Sequence, residues 1–139
     1  MNTNFLFAYG TIADAEFFGY LLQRKPVYKS ARLLDYELLV NPESGYLFVK
    51  PGQGSQVAGQ LVEVTSEELE ILDLWEGVPF YERETLEVQT ANGPANAFVY
   101  SQNQASGTPP NLAKQKNRAS ILKEIKAFRI WLDTHRNQG

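Results

Sequence analysis

The sequence predicts an α+β fold, in which a small mixed β-barrel is flanked by helices and followed by an amphipathic C-terminal helix. Short apolar segments between about residues 5 and 101 are separated by glycine, proline and asparagine, which is typical of strands. Two other segments, beginning near Ser66 and Ala119, repeat their apolar residues at helical spacing. Because so many short strands must protect their edges, we expect the sheet to close wholly or partly into a barrel.

The length and composition suit one domain. The chain has 139 residues, 43% of them hydrophobic, enough to bury roughly two thirds of the surface of the unfolded chain. We expect its core at about residues 4–101, a linker at 102–111 and the C-terminal helix at about 112–136. The sequence shows neither a signal peptide nor about 18 consecutive apolar residues, so we expect a cytoplasmic protein without a membrane partner.

Several kinds of catalytic site are excluded by composition. The chain has no cysteine, which rules out disulfides, thiolate nucleophiles and thiolate metal sites. His135, its only histidine, lies in a polar tail, where a solvated side chain is expected rather than a base or a metal ligand. The GxSxG and GxxxxGK[ST] motifs are absent, and GQGSQVAG lacks the third glycine of a dinucleotide-binding loop. We interpret that glycine-rich segment as a turn.

The charge is unevenly distributed. Residues 111–139 contain seven Lys or Arg and two acidic residues, a net charge of +5 within a chain of net charge −3. The rest of the chain therefore carries −8. Lys and Arg are not interleaved with aromatic residues in the manner of a nucleic-acid site, so we expect no nucleic-acid partner and a basic helix docked on an acidic body.

Along the chain, the predicted strands come before and after two helices, a short one that follows the first strand and a longer one in the middle of the sequence. FLFAYG predicts a first strand that ends in a glycine turn, and ADAEFFGYLLQ predicts a helix that Asp14 caps. Three segments predict the following strands: ARLLDYELLV, GYLFVKPG and VAGQLVEV. YERETLEVQT and NAFVYS predict a hairpin joined through residues 91–94.

The central helix, which begins near Ser66, has predicted signals at both ends. Thr65 and Glu68 fit a capping box at its start, and Gly77, Val78 and Pro79 are expected to stop it.

Glu76 projects between Leu69 and Leu72, at the margin of the apolar stripe, whereas Glu70 and Asp73 are expected to point toward water. A carboxylate at a helix C-terminus is disfavoured by the helix dipole. It either turns outward and solubilises the turn, or it has a functional reason to be there.

A second candidate for a site is the segment AYGTI. It ends an apolar strand on a Gly-Thr turn ahead of a helix, and such turns can present backbone N–H groups to an anion. If the barrel places this turn beside Glu76, the pocket offers N–H donors for a carboxylate and a carboxylate for a cation. This is the charge pattern of an α-amino acid head group.

Four motifs in order, AYGTI, VAGQLVEV, LDLWEGVPFYER and AFVYS, resemble those of the gamma-glutamylcyclotransferase family, and most closely its gamma-glutamylamine cyclotransferase branch. The resemblance covers about residues 5–101 and implies a small barrel that converts a gamma-glutamyl amide into 5-oxoproline and a free amine, without a cofactor or a metal. It gives Glu76 the position of the catalytic acid/base. Tyr9, Gly10, Thr11 and Ile12 match the loop whose backbone holds the glutamyl end of the substrate, with Ile12 in place of the usual leucine.

The resemblance implies two further assignments. Tyr81 and Arg83 match a Tyr-x-Arg strand, where we expect Tyr81 to bind substrate and Arg83 to pair with an acidic neighbour. Two alternatives to a cyclotransferase of small molecules remain open. The first is a non-catalytic binding module for an amino-acid-like ligand, whose C-terminal helix contacts a partner. The second is the same ring closure in a biosynthetic pathway, where it removes a gamma-glutamyl protecting group.

The C-terminal helix lies beyond the resemblance. Its apolar stripe consists of Ile121, Leu122, Ile125, Phe128 and Leu132. Side chains of this size do not stay exposed on a soluble monomer without a partner. We therefore expect a monomer in which the stripe packs on the barrel, while the preceding linker leaves the pocket open.

Overall fold

The computed structural model describes residues 3–77, 81–111 and 115–136. It contains five strands, three α-helices and one 3-10 turn. The strands are β1 (Thr3–Ala8), β2 (Lys29–Val40), β3 (Leu47–Thr65), β4 (Glu82–Thr90) and β5 (Gly93–Ser101). The helices are α1 (Ala15–Leu22), α2 (Ser66–Glu76) and α3 (Arg118–Arg136), and the 3-10 turn is Thr11–Ala13. The predicted α+β class is thus confirmed.

The five strands form a closed barrel in the order β1-β3-β2-β4-β5. All neighbouring strands are antiparallel except β1 and β5, which pair in parallel at Leu6 and Phe98 and close the barrel. The barrel is mixed, as predicted.

Strand β1 is buried on both faces, which explains why its apolar residues do not alternate with polar ones. Leu6 and Ala8 belong to a core cluster that also contains residues of all three helices, whereas Phe7 belongs to a second cluster made by the strands. Because both faces of β1 are covered, Leu6, Phe7 and Ala8 are all buried.

The two strands predicted at residues 45–52 and 57–64 are one continuous strand, β3, so the predicted break between them was wrong. The register between β2 and β3 shifts beside Asp35. There Asp35 and Gly54 adopt left-handed φ angles of 62° and 82°, and Asp35 Oδ1 accepts a hydrogen bond of 3.0 Å from the Gly54 N–H. The chain therefore bulges at residues 52–55, between Pro51, which pairs with Tyr36, and Gln56, which pairs with Leu34, without ending the strand.

The predicted boundaries of α2 follow from its capping residues. Thr65 Oγ1 accepts from the Glu68 N–H at 3.0 Å, and the Glu68 carboxylate accepts from the Thr65 N–H at 2.9 Å, so the capping box is confirmed. The helix ends at Gly77, whose φ of 76° is left-handed. The other predicted stop residues, Val78 and Pro79, lie outside the described residues.

The helix α1 and the hairpin also match their predictions. Asp14 caps α1 by accepting hydrogen bonds from the N–H groups of Glu16 and Phe17. Strands β4 and β5 pair from Glu82–Ser101 to Thr90–Gly93, so the hairpin turn is shorter than predicted and β5 begins at Gly93.

The predicted apolar stripe of α3 packs within the chain. Ile125 and Leu132 are buried, and Ile121, Leu122 and Phe128 pack against the same core cluster. The helix begins at Arg118, later than the predicted start at about residue 112, while residues 112–114 lie outside the described part of the chain.

Polar contacts also join α3 and its preceding segment to the body. Arg118 pairs with Asp14 and Glu16, so a cationic residue of the tail does face the acidic body. The segment before α3 is tied down as well, since Val40 and Thr108 exchange backbone hydrogen bonds of 2.8 and 3.1 Å. Across residues 3–77, 81–111 and 115–136, no helix has the length and apolar character that a membrane span requires.

Candidate functional site

A cavity of about 240 Å³ opens where the end of β1, the loop before β3, the end of α2 and one side of α3 meet. This volume lies below the range of about 300–1,000 Å³ that is usual for drug-sized ligands, and it suits a group of the size of an amino acid. All six residues predicted to form a site line this cavity: Tyr9, Gly10, Thr11, Ile12, Glu76 and Tyr81.

Glu76 is the last residue of α2, and the left-handed Gly77 turns the chain away immediately after it. Its side chain is partly buried at the cavity wall. Burial raises the pKa of Glu76 to about 8, and the negative charge of Asp73 acts in the same direction. A carboxyl group with this pKa can both accept and return a proton near neutral pH.

The loop after β1 forms one wall of the cavity. The Gly10 carbonyl accepts from the Ala13 N–H at 3.0 Å and starts the 3-10 turn. Because the first N–H groups of a helical turn have no acceptor within it, those of Thr11 and Ile12 are available to a ligand. Ile12 itself is only 4% exposed and belongs to the main core cluster, and its carbonyl accepts a hydrogen bond of 2.5 Å from the Tyr28 hydroxyl, so the loop is anchored in the core.

Two tyrosines, the half-buried Tyr9 and the buried Tyr81, fix this wall. The Tyr9 hydroxyl donates to the Tyr100 carbonyl at 2.6 Å, and the Tyr81 hydroxyl donates to the Leu47 carbonyl at 2.9 Å. Burial raises the pKa of both phenols, and the charge of Glu76 raises each further. Both therefore remain protonated near neutral pH and provide shape and hydrogen bonds rather than charge.

The prediction that Asp73 points toward water was wrong. Asp73 accepts a hydrogen bond of 2.6 Å from the Tyr100 hydroxyl and forms an ion pair of 3.0 Å with Arg83. The predicted pairing of Arg83 with an acidic neighbour is thereby confirmed. This network joins α2 to the β4–β5 hairpin directly beside Glu76.

Sequence reasoning missed several residues of the cavity. Ser44 and Tyr46 come from the loop before β3, Leu47 from the start of β3, Tyr100 from β5 and Glu124 from α3. Tyr100 lies within the motif AFVYS, but nothing in that motif marks it as a site residue, and only the long-range fold brings these residues to the cavity of Glu76. Trp75, which the helical pattern assigns to the apolar stripe, also lines the cavity.

The glycine in VAGQLVEV has a packing reason. A Cβ atom on Gly59 would lie 2.5 Å from the Ala8 carbonyl oxygen and 2.6 Å from the ring of Phe7. Only glycine therefore allows β1 and β3 to approach at the point where β1 delivers the cavity loop.

His135 lies on the exposed side of α3 and is not among the cavity residues. Its Nδ1 lies 2.7 Å from the Trp131 carbonyl oxygen within the same helix.

Comparisons with solved structures find the same fold in other proteins. An Arabidopsis thaliana protein of known solution structure superposes with a TM-score of 0.68 at 23% identity, over 99% of this chain and 86% of that one. A gamma-glutamyl cyclotransferase superposes with a TM-score of 0.71 at 22% identity, over 88% of this chain and 80% of that one. An AIG2-like protein of Mus musculus gives 0.67 at 20% identity, over 84% and 97%.

The comparison with curated proteins gave no match. The family model described as gamma-glutamyl cyclotransferase, AIG2-like, matches residues 6–122, which include every cavity residue discussed above except Glu124. The match extends past the end of β5 and into α3, well beyond the region in which the motifs were recognised. This chain belongs to the gamma-glutamyl cyclotransferase, AIG2-like, family.

Proposed function

We propose that the protein converts a gamma-glutamyl amide or peptide into 5-oxoproline and a free amine, with Glu76 as general acid and base. The observation that carries the proposal is the placement of Glu76, a carboxyl group with a pKa raised to about 8, on the same cavity as the Tyr9–Ile12 loop. Membership of the family supports the reaction class. Within the family we propose the gamma-glutamylamine branch, on the motifs quoted above and the near-complete coverage of the mouse AIG2-like protein.

The proposed reaction requires two proton transfers at one site. The α-ammonium group of the substrate gives a proton to Glu76, and the resulting amine attacks the carbon of its own gamma carbonyl. As the tetrahedral intermediate collapses, the bond from that carbon to the amide nitrogen breaks, Glu76 returns the proton to the departing amine, and the ring nitrogen loses its second proton to solvent. The products are 5-oxoproline and the free amine, so no oxidant, second substrate or nucleophilic side chain is required.

The raised pKa of Glu76 agrees with this sequence of steps. Near neutral pH the empty site holds a protonated Glu76, because burial disfavours its charged form. A bound ammonium group lowers the proton affinity of the carboxylate again. In the complex the substrate is then an ammonium ion and Glu76 a carboxylate. Transfer of one proton from the ammonium group to Glu76 gives the neutral amine that attacks.

Orientation supplies the remaining part of the acceleration. Thr11 and Ile12, which begin the Thr11–Ala13 turn, line the cavity, and we propose that their N–H groups bind the α-carboxylate of the substrate. Holding that carboxylate at the loop and the ammonium at Glu76 folds the glutamyl chain toward its five-membered ring. Well-oriented intramolecular reactions reach effective molarities of about 10⁵ to 10⁸ M.

The test is a panel of gamma-glutamyl amino acids, gamma-glutamyl amines and gamma-glutamyl-lysine, assayed for release of 5-oxoproline. The Glu76→Gln protein serves as the inactive control, and Glu70→Gln as the matched one, because Glu70 lies on the same helix but is exposed. We expect activity in the wild type and in Glu70→Gln, with a loss of at least about 10²-fold in Glu76→Gln. Binding of gamma-glutamyl compounds without release of 5-oxoproline would instead favour the binding module.

A further inference from the structure

Tyr46 lies in the loop before β3 and lines the same cavity as Glu76, yet no motif points to it. Its hydroxyl donates a hydrogen bond of 2.9 Å to Glu124 Oε2 of α3. The Lys116 ammonium donates to the same carboxylate oxygen at 2.7 Å and lies 4.6 Å from the centre of the Tyr46 ring. Trp75 packs edge-on against that ring, with 6.1 Å between the ring centroids. Tyr46 is therefore held on several sides.

This arrangement decides what the Tyr46 hydroxyl can offer to a ligand. A phenol has one hydrogen to donate, and Glu124 takes it. The oxygen lone pairs remain, and donation to a charged carboxylate makes the oxygen a better acceptor. Burial raises the pKa of Tyr46, and the nearby carboxylates of Glu124 and Glu76 raise it further. The hydroxyl thus stays neutral and presents an acceptor.

The substrate of the proposed reaction carries a group that needs such an acceptor. An ammonium group has three N–H donors, and each donor left without a partner in a closed cavity costs free energy. Glu76 can accept hydrogen bonds from the ammonium group on one side only, which leaves its other N–H donors in need of an acceptor. Among the residues that the structure describes, the charged groups beside Tyr46 are Glu76 on α2, Glu124 on α3 and Lys116 before α3, and Lys116 pairs with Glu124.

Building on the proposed function, we propose that the Tyr46 oxygen accepts a hydrogen bond from the α-ammonium group of the substrate, and that Glu124 of α3 is the positioning residue that keeps the Tyr46 hydrogen turned away from the cavity. Tyr46 is then a substrate-binding residue and α3 a part of the active site. Without Glu124 the Tyr46 hydroxyl can rotate and donate into the cavity, where it competes with the ammonium group for Glu76.

Three variants separate this role from a packing role. Tyr46→Phe removes the oxygen and keeps the ring. Glu124→Ala removes the acceptor that orients the hydroxyl, whereas Glu124→Gln removes the charge but keeps an acceptor oxygen. Asp133→Ala is the matched control, because Asp133 is also an exposed acidic residue of α3 with one ion pair, to Arg129 at 2.7 Å, and it is not among the cavity residues.

With the best substrate of the panel, we expect Tyr46→Phe and Glu124→Ala to raise KM about tenfold while kcat changes by less than about threefold, as for a lost hydrogen bond to a charged group. Glu124→Gln should stay within about threefold of the wild-type KM, and Asp133→Ala should match the wild type. Thermal denaturation checks that each variant folds. A Tyr46→Phe protein with wild-type KM, or a Glu124→Gln protein as impaired as Glu124→Ala, would overturn the proposal.

A binding measurement keeps this proposal distinct from the proposed function. L-Glutamine is the smallest gamma-glutamyl amide, and calorimetric titration measures its Kd whether or not turnover occurs. If the wild type releases no 5-oxoproline from any compound, the cyclotransferase function fails. The role of Tyr46 then stands only if Tyr46→Phe and Glu124→Ala still weaken L-glutamine binding about tenfold, and it falls if their Kd equals that of the wild type or if the wild type does not bind L-glutamine.

Discussion

Replacing Glu76 by glutamine should stabilise the protein at alkaline pH while it removes turnover. Glutamine keeps the shape of the side chain and most of its hydrogen bonding, but it has no charge to bury. The helix dipole adds to the effect, because Glu76 is the last residue of α2 and a negative charge there is unfavourable.

The magnitude follows from the two pKa values of Glu76. In the unfolded chain its pKa is about 4.3, and in the folded protein burial raises it to about 8. Between these values the unfolded state loses the proton while the folded state keeps it, so the free energy of unfolding falls as pH rises, by about 1.4 kcal/mol per pH unit. The contribution is complete below about pH 4, and it is lost as the pH passes through about 8.

A fully dry carboxyl group would lose about 5 kcal/mol over this interval. Glu76 is partly open to the cavity, and solvent screening reduces the effect, so we expect about 1 to 3 kcal/mol. Denaturant unfolding of the wild type and of Glu76→Gln at pH 5 and pH 9 measures this difference. Glu70→Gln, on the exposed face of the same helix, should follow the wild type. Parallel pH dependence of the wild type and Glu76→Gln would refute the reasoning.

Four other changes test separate parts of the structure. Asp73→Asn removes a charge that raises the pKa of Glu76. The rise of kcat/KM with pH, which follows deprotonation of Glu76, should therefore move to lower pH, and an unchanged profile would contradict this prediction. Gly59→Ala places a Cβ atom against the backbone of β1 and should cost about 1 to 3 kcal/mol in urea unfolding. Gly10→Val should weaken binding of the glutamyl end, measured as KM for a protein that still folds; normal KM would count against the loop as the carboxylate site. Deleting residues 111–139 exposes the core under α3 and should lower the melting temperature sharply or cause aggregation, whereas an unchanged melting temperature would make α3 dispensable for stability.

The parts of the site that the sequence predicts are those set by local geometry. The phase of α2 and its two caps place Glu76 beside the apolar stripe, and the Gly-Thr turn follows directly from β1. Tyr46 and Glu124 could not be found in this way, because they are 78 positions apart and meet only through the packing of α3. Their hydrogen bond is a tertiary contact without a local pattern.

The two wrong predictions have the same origin. Helical phase gives the direction of Asp73 relative to its own helix, but the hairpin β4–β5 covers that side and brings Tyr100 and Arg83 to it. In β3, the proline and glycines are typical of a chain break, yet pairing with β2 continues through the bulge at Asp35. In both cases a neighbouring element supplies the partner that the local sequence lacks.

The distribution of cations around α2 bears on why Glu76 is kept despite its cost in stability. A carboxylate buried for structural reasons is normally compensated by a cation or by hydrogen bonds. Arg83 pairs with Asp73 of the same helix, and Lys116 pairs with Glu124. Among the ion pairs of residues 3–77, 81–111 and 115–136, none involves Glu76. Within these ranges the charged form of Glu76 therefore has no cationic partner, and the ammonium group of a substrate in the cavity would supply one. Such uncompensated burial is the condition expected of an acid/base site, where stability is lower than it would be with a neutral residue.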